Sequence, residues 1–113
     1  MQIRKTYRDI NPELLLHELQ DFASKQGPVL DVNKVETYSL ASDSSSFVTR
    51  GTLTFKTRGE GGKECLRAHL VGSARGETKL MLDIDESLFS AEKIAAFQAD
   101  LDFIFGSYEV KPQ

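Results

Sequence analysis

The chain has little of what usually reveals the chemistry of a small protein: its 113 residues include one cysteine, two histidines, two methionines and no tryptophan. A single cysteine cannot form an internal disulfide, so we expect a reducing, cytoplasmic setting. Uninterrupted apolar runs are only a few residues long, far short of the ~20 residues that a membrane-spanning helix needs. The opening stretch MQIRKTYRDI is also too polar for a signal peptide. We therefore expect no membrane-spanning segment.

The totals favour one globular domain that covers residues 1–113, because a single hydrophobic core usually occupies about 100–200 residues. Hydrophobic residues make up 40% and charged residues 27% of the chain, which is enough apolar surface to offset the entropy lost on folding. The net charge of -3 and the pI near 5.4 are too mild to draw the whole molecule to nucleic acid or to anionic lipid. Any such binding would need a local basic patch.

The first helix has clear start and stop signals. Asn11 can cap it, Pro12 suits its first position, and Glu13 meets the positive end of the helix dipole. Gly27 followed by Pro28 ends it, which predicts a helix over residues 12–26. Four apolar residues at helical spacing form its expected buried stripe: Leu15, Leu19, Phe22 and Ala23.

Residues 32–86 predict an antiparallel meander of four strands, because SDSSS, RGEGG and RGE separate runs rich in Val, Thr, Leu, Phe and Tyr. The clearest strand is 47–57, and a weaker alternation predicts a first strand over residues 2–9. Ser90 can cap a last helix. The apolar stripe expected on that helix is Ile94, Phe97, Leu101, Ile104 and Tyr108.

The element order β-α-β-β-β-β-α predicts an α+β fold, a two-layer sandwich in which two helices cover one face of a five-stranded antiparallel sheet. This order resembles the helix-grip and TATA-binding-protein-like arrangements. The likeness is one of topology and involves no sequence motif, so it implies a fold and no function.

The stretch Cys65-Leu66-Arg67-Ala68-His69 raises the question of a reactive thiol. In a helix, Cys65 and His69 would be ~6 Å apart and could form a thiolate–imidazole pair. In a strand they lie about 13 Å apart, which is too far for a hydrogen bond or for a shared metal ion. The alternating pattern favours the strand, with Cys65, Arg67 and His69 along one polar face.

The same alternation predicts how this strand pairs with the next one. Both strands carry their apolar side chains at even positions, so an odd-length loop must join them, and Arg75-Gly76-Glu77 fits a three-residue hairpin loop. The register that follows pairs His69 with Asp83, Arg67 with Asp85, and Val71 with Met81. Such cross-strand charge pairs are worth roughly 0.2–1 kcal/mol each, so we first interpret them as sheet stabilisation.

Other candidate chemistries are weak. His17 has Glu13 and Asp21 at four-residue steps, a ladder that is usually solvated and has no second histidine or cysteine to complete a metal site. RGEGGK lacks the ending and the helical sequel of a phosphate-binding loop, and DIDES is explained by charge pairing. The sequence favours a non-catalytic domain and assigns no catalytic residue, metal or cofactor.

The polar sheet face is the candidate binding surface and is basic on balance. Arg4 and Arg8 extend it if the polar side of the first strand belongs to the same face. Its candidate residues are Arg50, Lys56, Arg67, His69, Lys79, Met81 and Asp83. We expect first a protein interface, either with another protein or in a homo-oligomer such as a homodimer. The alternatives are an anion or nucleic acid on the basic residues, and a face that is simply solvated. Nucleic acid is disfavoured by the net acidic charge and by the lack of stacking aromatics, for which Tyr38 is the one candidate.

A third hypothesis places an apolar ligand between the last helix and the sheet. Its pocket would be lined by Phe97, Leu101, Ile104 and Phe105. A filled core explains the same residues more simply, since a chain of this length has little volume to spare.

Overall fold

The computed structural model describes residues 1–40, 43–73 and 76–110. The predicted order of elements is confirmed, and a short 3₁₀ turn, Gly106–Tyr108, follows the last helix. The strands are β1 (Gln2–Arg8), β2 (Val29–Leu40), β3 (Asp43–Lys56), β4 (Glu64–Gly72) and β5 (Glu77–Ile84), and the helices are α1 (Pro12–Lys25) and α2 (Ala91–Phe105). Within the described ranges, no helix is both long and apolar enough to cross a membrane.

The strands form one antiparallel sheet in the order β1-β5-β4-β3-β2. The two strands that α1 connects are therefore the two edges of the sheet, so α1 must cross the whole sheet between them. Both helices pack on the same face, as predicted. Neither helix of the described ranges lies on the opposite face, which we call the open face.

The ends of α1 form as the sequence predicts. The Asn11 side chain accepts hydrogen bonds from the backbone N–H groups of Glu13 at 2.9 Å and Leu14 at 3.3 Å. Gly27 has φ +107°, a conformation that side-chain-bearing residues rarely adopt, and Pro28 prevents continuation. The buried stripe contains the predicted residues together with Pro12 and Leu16.

The buried stripe of α2 differs from the prediction in its last turn. Ile94, Phe97 and Leu101 are buried, but the next buried residue is Phe105, which makes an edge-on ring contact with Tyr7. Ile104 and Tyr108 are each 44% exposed. The prediction was wrong there because the stripe continues with a four-residue step, and because α2 ends before Tyr108, which lies in the 3₁₀ turn.

Two long strands extend the sheet beyond the prediction. β2 begins at Val29 instead of residue 32, and β3 begins at Asp43, so most of the SDSSS segment, expected as a loop, is strand; Ser42 lies outside the described residues. β4 pairs with β3 only up to Thr49, which leaves the far end of the β2–β3 hairpin as a two-stranded arm. RGEGGK is a hairpin loop as predicted, closed by the Thr57 N–H donating to the Lys63 carbonyl oxygen at 2.9 Å.

The predicted register between β4 and β5 is wrong by two residues, although the predicted match of even positions is correct. The structure pairs Arg67 with Asp83, His69 with Met81, and Val71 with Lys79. Gly72 and Thr78 form the last pair, so the connection is longer than the expected three-residue loop. Arg75 of that expected loop lies outside the described residues.

The predicted placement of Cys65 on the polar face is also wrong. Phe55 pairs with Leu66 and Lys56 with Glu64, so Cys65 is an extra residue in a β-bulge. The bulge breaks the alternation, and Cys65 turns into the core, where it is 2% exposed and its Sγ lies 3.6 Å from the Phe55 carbonyl oxygen. Only Arg67 and His69 of the original motif remain on the open face.

Candidate functional site

The candidate site is the open face, whose side chains are ordered by the strand register. Residues paired across neighbouring strands share a side of the sheet, so the pairings define three rows that run from β1 to β2. The rows are Gln2–Asp83–Arg67–Thr54–Val32, Arg4–Met81–His69–Thr52–Lys34 and Thr6–Lys79–Val71–Arg50–Glu36.

This register brings six of the seven predicted candidates into the rows and places Lys56 beside them at the end of β3. The register also adds Arg4, which the sequence offered only as a possible extension. Its place next to Met81 depends on β1 pairing with β5, two strands far apart in the chain. No local pattern near Arg4 signals that neighbour.

The carboxylates around the open face are largely used within the chain. Glu77 pairs with Arg8 at 2.9 Å, Glu36 with Lys34 at 3.2 Å, and Asp31 with Lys56 at 3.6 Å. The Asp83 carboxylate accepts a hydrogen bond from the Gln2 side chain at 3.2 Å. All of these groups lie near the strand ends or the sheet edges.

The predicted pairing of Arg67 with Asp85 is absent. Arg67 donates instead to Glu64 on its own strand at 2.9 Å, and this hydrogen bond raises the pKa of the guanidinium. Asp85 lies just beyond β5 and accepts hydrogen bonds from the Ser87 hydroxyl at 2.6 Å and the Ser87 N–H at 2.9 Å, which lower the pKa of its carboxyl group. The difference follows directly from the two-residue change of register.

Among the described residues, His69 has no carboxylate partner of the kind that a general base would need. Its Nδ1 is hydrogen-bonded to the Thr52 hydroxyl at 2.9 Å, and its neighbour on β5 is Met81. The imidazole is half-buried. The predicted pairing of His69 with Asp83 is therefore wrong, because Asp83 lies opposite Arg67.

A depression of about 500 Å³ lies on the open face where β1, β5 and β4 run side by side. Lys5 and Leu80 contribute to its wall, and the open-face residues that line it are Arg4, Thr6, His69, Val71, Lys79 and Met81. No aspartate or glutamate is among these residues. Met81 and Val71 are half-buried and give the depression an apolar centre.

The cations at this depression lack the internal partners that the peripheral ones have. Among the described residues, neither Arg4 nor Lys79 has a carboxylate within ion-pair distance. The Arg4 side chain donates to the neutral Gln2 amide oxygen at 3.2 Å. The depression is therefore a small positive site with an apolar centre.

No family model matches the chain, and no curated protein matches it significantly. The geometry of the chain itself must therefore carry any functional assignment.

The structure gives little support to a metal site or to a reactive thiol. Among residues 1–40, 43–73 and 76–110, no group of three or more His, Cys, Asp or Glu side chains is placed to hold a metal ion. The His17 Nε2 atom lies 3.9 Å from the Asp21 Oδ2 atom, and both side chains are mostly exposed. Burial raises the pKa of the Cys65 thiol, which disfavours the thiolate that nucleophilic chemistry requires.

The aromatic residues near the open face lie away from the depression. Tyr38 is on this face, opposite Val48 at the arm, is 48% exposed, and donates a hydrogen bond to the Glu36 carboxylate. This pairing determines which side chains of β2 lie on the open face. Phe47 is 52% exposed but belongs to the opposite side of the arm.

The four residues expected to line an apolar pocket do not share a surface. Phe97, Leu101 and Phe105 are packed in the core, with exposures of 0%, 0% and 4%. Ile104 lies outside the core and is 44% exposed. Core packing is therefore the simpler role for the three buried side chains.

Proposed function

We propose that this chain is a non-catalytic binding domain whose open face binds an acidic surface of a protein partner. The observation that carries the proposal is the depression between β1, β5 and β4, where Arg4, His69 and Lys79 surround Met81 and Val71 and no carboxylate lies among the lining residues.

The charge arrangement supports an acidic partner. Among the described residues, Arg4 and Lys79 have no carboxylate partner, so an acidic partner would supply their first. Complementary charges of this kind raise the rate and specificity of association. Meanwhile, the burial of half-exposed apolar side chains at the centre of an interface supplies affinity.

The second candidate is an anionic ligand or nucleic acid held by the same cations. Arg4 and Lys79 would serve phosphate oxygens as well as carboxylates. Proteins that bind single-stranded nucleic acid usually stack its bases on aromatic side chains. The aromatic residue on the open face, Tyr38, lies at the arm, away from the depression, and its hydroxyl donates to Glu36, which argues against this candidate. We therefore place this candidate behind the protein partner.

The test uses amide NMR spectra of the chain at low salt during titration with an oligoglutamate peptide, with an oligolysine peptide as the chemical control. We expect the oligoglutamate to shift amide signals of the rows through Arg4, His69 and Lys79, and the oligolysine to leave them in place. Lys79→Glu should remove the response. Lys63→Glu, in the exposed β3–β4 loop, makes the same change of net charge and should retain it.

The same titration with a single-stranded oligonucleotide separates the two candidates. Binding of the oligonucleotide in preference to the peptide, with an affinity that falls steeply as salt rises, would favour the second candidate. If neither acidic probe shifts the open face at low salt, or if Lys79→Glu and Lys63→Glu weaken binding equally, the proposal is wrong.

A further inference from the structure

The outer edge of β2 is a second surface with features of an interface. β2 is a 12-residue edge strand. The other edge strand, β1, is partly covered, because the Val110 N–H donates to the Thr6 carbonyl oxygen at 2.8 Å. The strand order gives the outer edge of β2 no neighbour among the described residues. Exposed edges of this length normally pair or are protected.

Three exposed apolar side chains lie along this edge strand. Val32, Val35 and Tyr38 are 43%, 45% and 48% exposed. They recur every three residues and therefore lie on both sides of the strand: Val32 and Tyr38 on the open face, and Val35 on the helix side. An edge partner would cover some of this surface on each side.

The sequence of this segment, VNKVETY at 32–38, keeps the same order of apolar, polar and charged positions when it is read from either end, and only the sign of the two charges is exchanged. Apolar residues stand at the ends and at the centre, Lys34 and Glu36 flank the centre with opposite charges, and a polar residue separates each charge from the nearer end. Two copies of such a segment are complementary when they run antiparallel.

We propose that a second copy of this chain is the partner of this edge. In the dimer, β2 pairs antiparallel with the partner's β2 about a two-fold axis at Val35, which joins the two five-stranded sheets into one. This register places Val35 opposite the partner's Val35, Lys34 opposite the partner's Glu36, and Val32 opposite the partner's Tyr38.

The neighbouring registers are unfavourable. A two-fold axis normal to the sheet places the open faces of both copies on the same side. The axis must therefore lie at a residue of β2, and the neighbouring registers place it at Lys34 or at Glu36. With the axis at Lys34, the two Lys34 side chains face each other and Val32 meets the partner's Glu36. With the axis at Glu36, the two carboxylates face each other and Lys34 meets the partner's Tyr38. Like charges in direct opposition are destabilising.

The inference is independent of the proposed function. The depression lies on β1, β5 and β4, and β5 is three strand spacings, or about 14 Å at ~4.8 Å each, from β2. A dimer through β2 therefore leaves both depressions accessible and places them on the same side of one sheet. The two sites could then bind a partner with two acidic segments.

The test is charge reversal followed by mixing, read by light scattering on a sizing column. K34E makes positions 34 and 36 both acidic, and E36K makes both basic, so in either variant like charges meet across the axis. We expect each to raise the dimer Kd by roughly 10- to 100-fold. An equimolar mixture of the two variants should recover a mass twice the 12.6 kDa of one chain.

The mixture isolates the contact between chains, because each variant still lacks its own Lys34–Glu36 ion pair. The double variant K34E/E36K should dimerise like the original chain, and circular dichroism would confirm that each single variant is folded. M81D, on the open face but outside this edge, should leave the dimer intact.

Three results would overturn the inference. The first is an original chain that remains a monomer at high concentration. The second is a dimer that survives both single reversals. The third is a dimer that M81D disrupts and K34E does not, which would place self-association on the open face.

Discussion

Gly72 is the residue at which packing leaves the least room for a side chain. It pairs with Thr78 on β5, and a Cβ added to it would contact the Thr78 hydroxyl and lie 2.7 Å from the Thr78 Cα. A backbone atom cannot be moved aside by a change of rotamer. A methyl group here must therefore displace one strand relative to the other.

We expect Gly72→Ala to lower the free energy of unfolding by roughly 1–3 kcal/mol, the usual cost of overpacking. Gly76→Ala, in the same connection, is the matched control, because the nearest atom to its added Cβ is the Ser73 Oγ at 3.8 Å. Urea unfolding followed by circular dichroism measures both. Equal free energies for the two variants would contradict the contact between Gly72 and Thr78.

At the scale of elements, α1 determines how the two edges of the sheet are connected. It leaves β1 at one edge, crosses the helix side and delivers the chain to β2 at the other edge. Its first turn is closed by the Asn11 side chain, which satisfies two backbone N–H groups that the helix cannot. Correct placement of β2 depends on this helix starting where it does.

We expect Asn11→Ala to destabilise the fold by about 1 kcal/mol, because it removes the acceptor of both capping hydrogen bonds. Asn11→Asp keeps an acceptor at the same position and adds a favourable charge at the helix N-terminus, so its stability should match that of the original chain. Thermal unfolding of the three proteins tests this. If Asn11→Asp were as unstable as Asn11→Ala, the capping interaction would not be the cause.

At the scale of the whole molecule, the C-terminal segment and α2 close over β1 and create an alkaline limit to stability. Burial lowers the pKa of Lys5, but its hydrogen bonds to Glu109 at 3.1 Å and Asp102 at 3.3 Å outweigh this and leave the pKa raised. Burial raises the pKa of Tyr7, and the nearby Glu109 and Asp102 carboxylates raise it further.

Both groups hold protons in the folded state that the unfolded chain releases near pH 10. Their contribution to stability is therefore fully present below the unfolded pKa values and is lost as the pH rises through the folded ones. We expect these two groups to change the thermal midpoint little between pH 7 and 9 and to lower it above about pH 10.

Tyr7→Phe separates the tyrosine part of this effect. The Tyr7 hydroxyl is buried and has no hydrogen-bond partner among the described residues, so its removal should leave stability at pH 7 unchanged or raise it by up to about 1–3 kcal/mol. The fall above pH 10 should also become shallower. Tyr108→Phe, at an exposed position, is the control and should leave the profile unchanged. An identical alkaline fall in both variants would contradict the role of Tyr7.

The sequence by itself determined the elements and most face assignments. Asn11, Pro12, Gly27 and Pro28 define the limits of α1 because capping and backbone restrictions act within a few residues. Alternation assigned Arg67 and His69 to a polar side and matched even positions across the β4–β5 hairpin, because side-chain direction in a strand has a period of two. Six of the seven candidate surface residues in fact share three rows of the open face.

Only the tertiary structure decided which of these residues are neighbours. The longer β4–β5 connection moved Asp83 from His69 to Arg67, the bulge took Cys65 off the open face, and the pairing of β1 with β5 brought Arg4 beside Met81. Strand register and strand order depend on packing between segments that are distant in sequence. Local preferences fix where a side chain points, whereas the core and the connections fix what it meets.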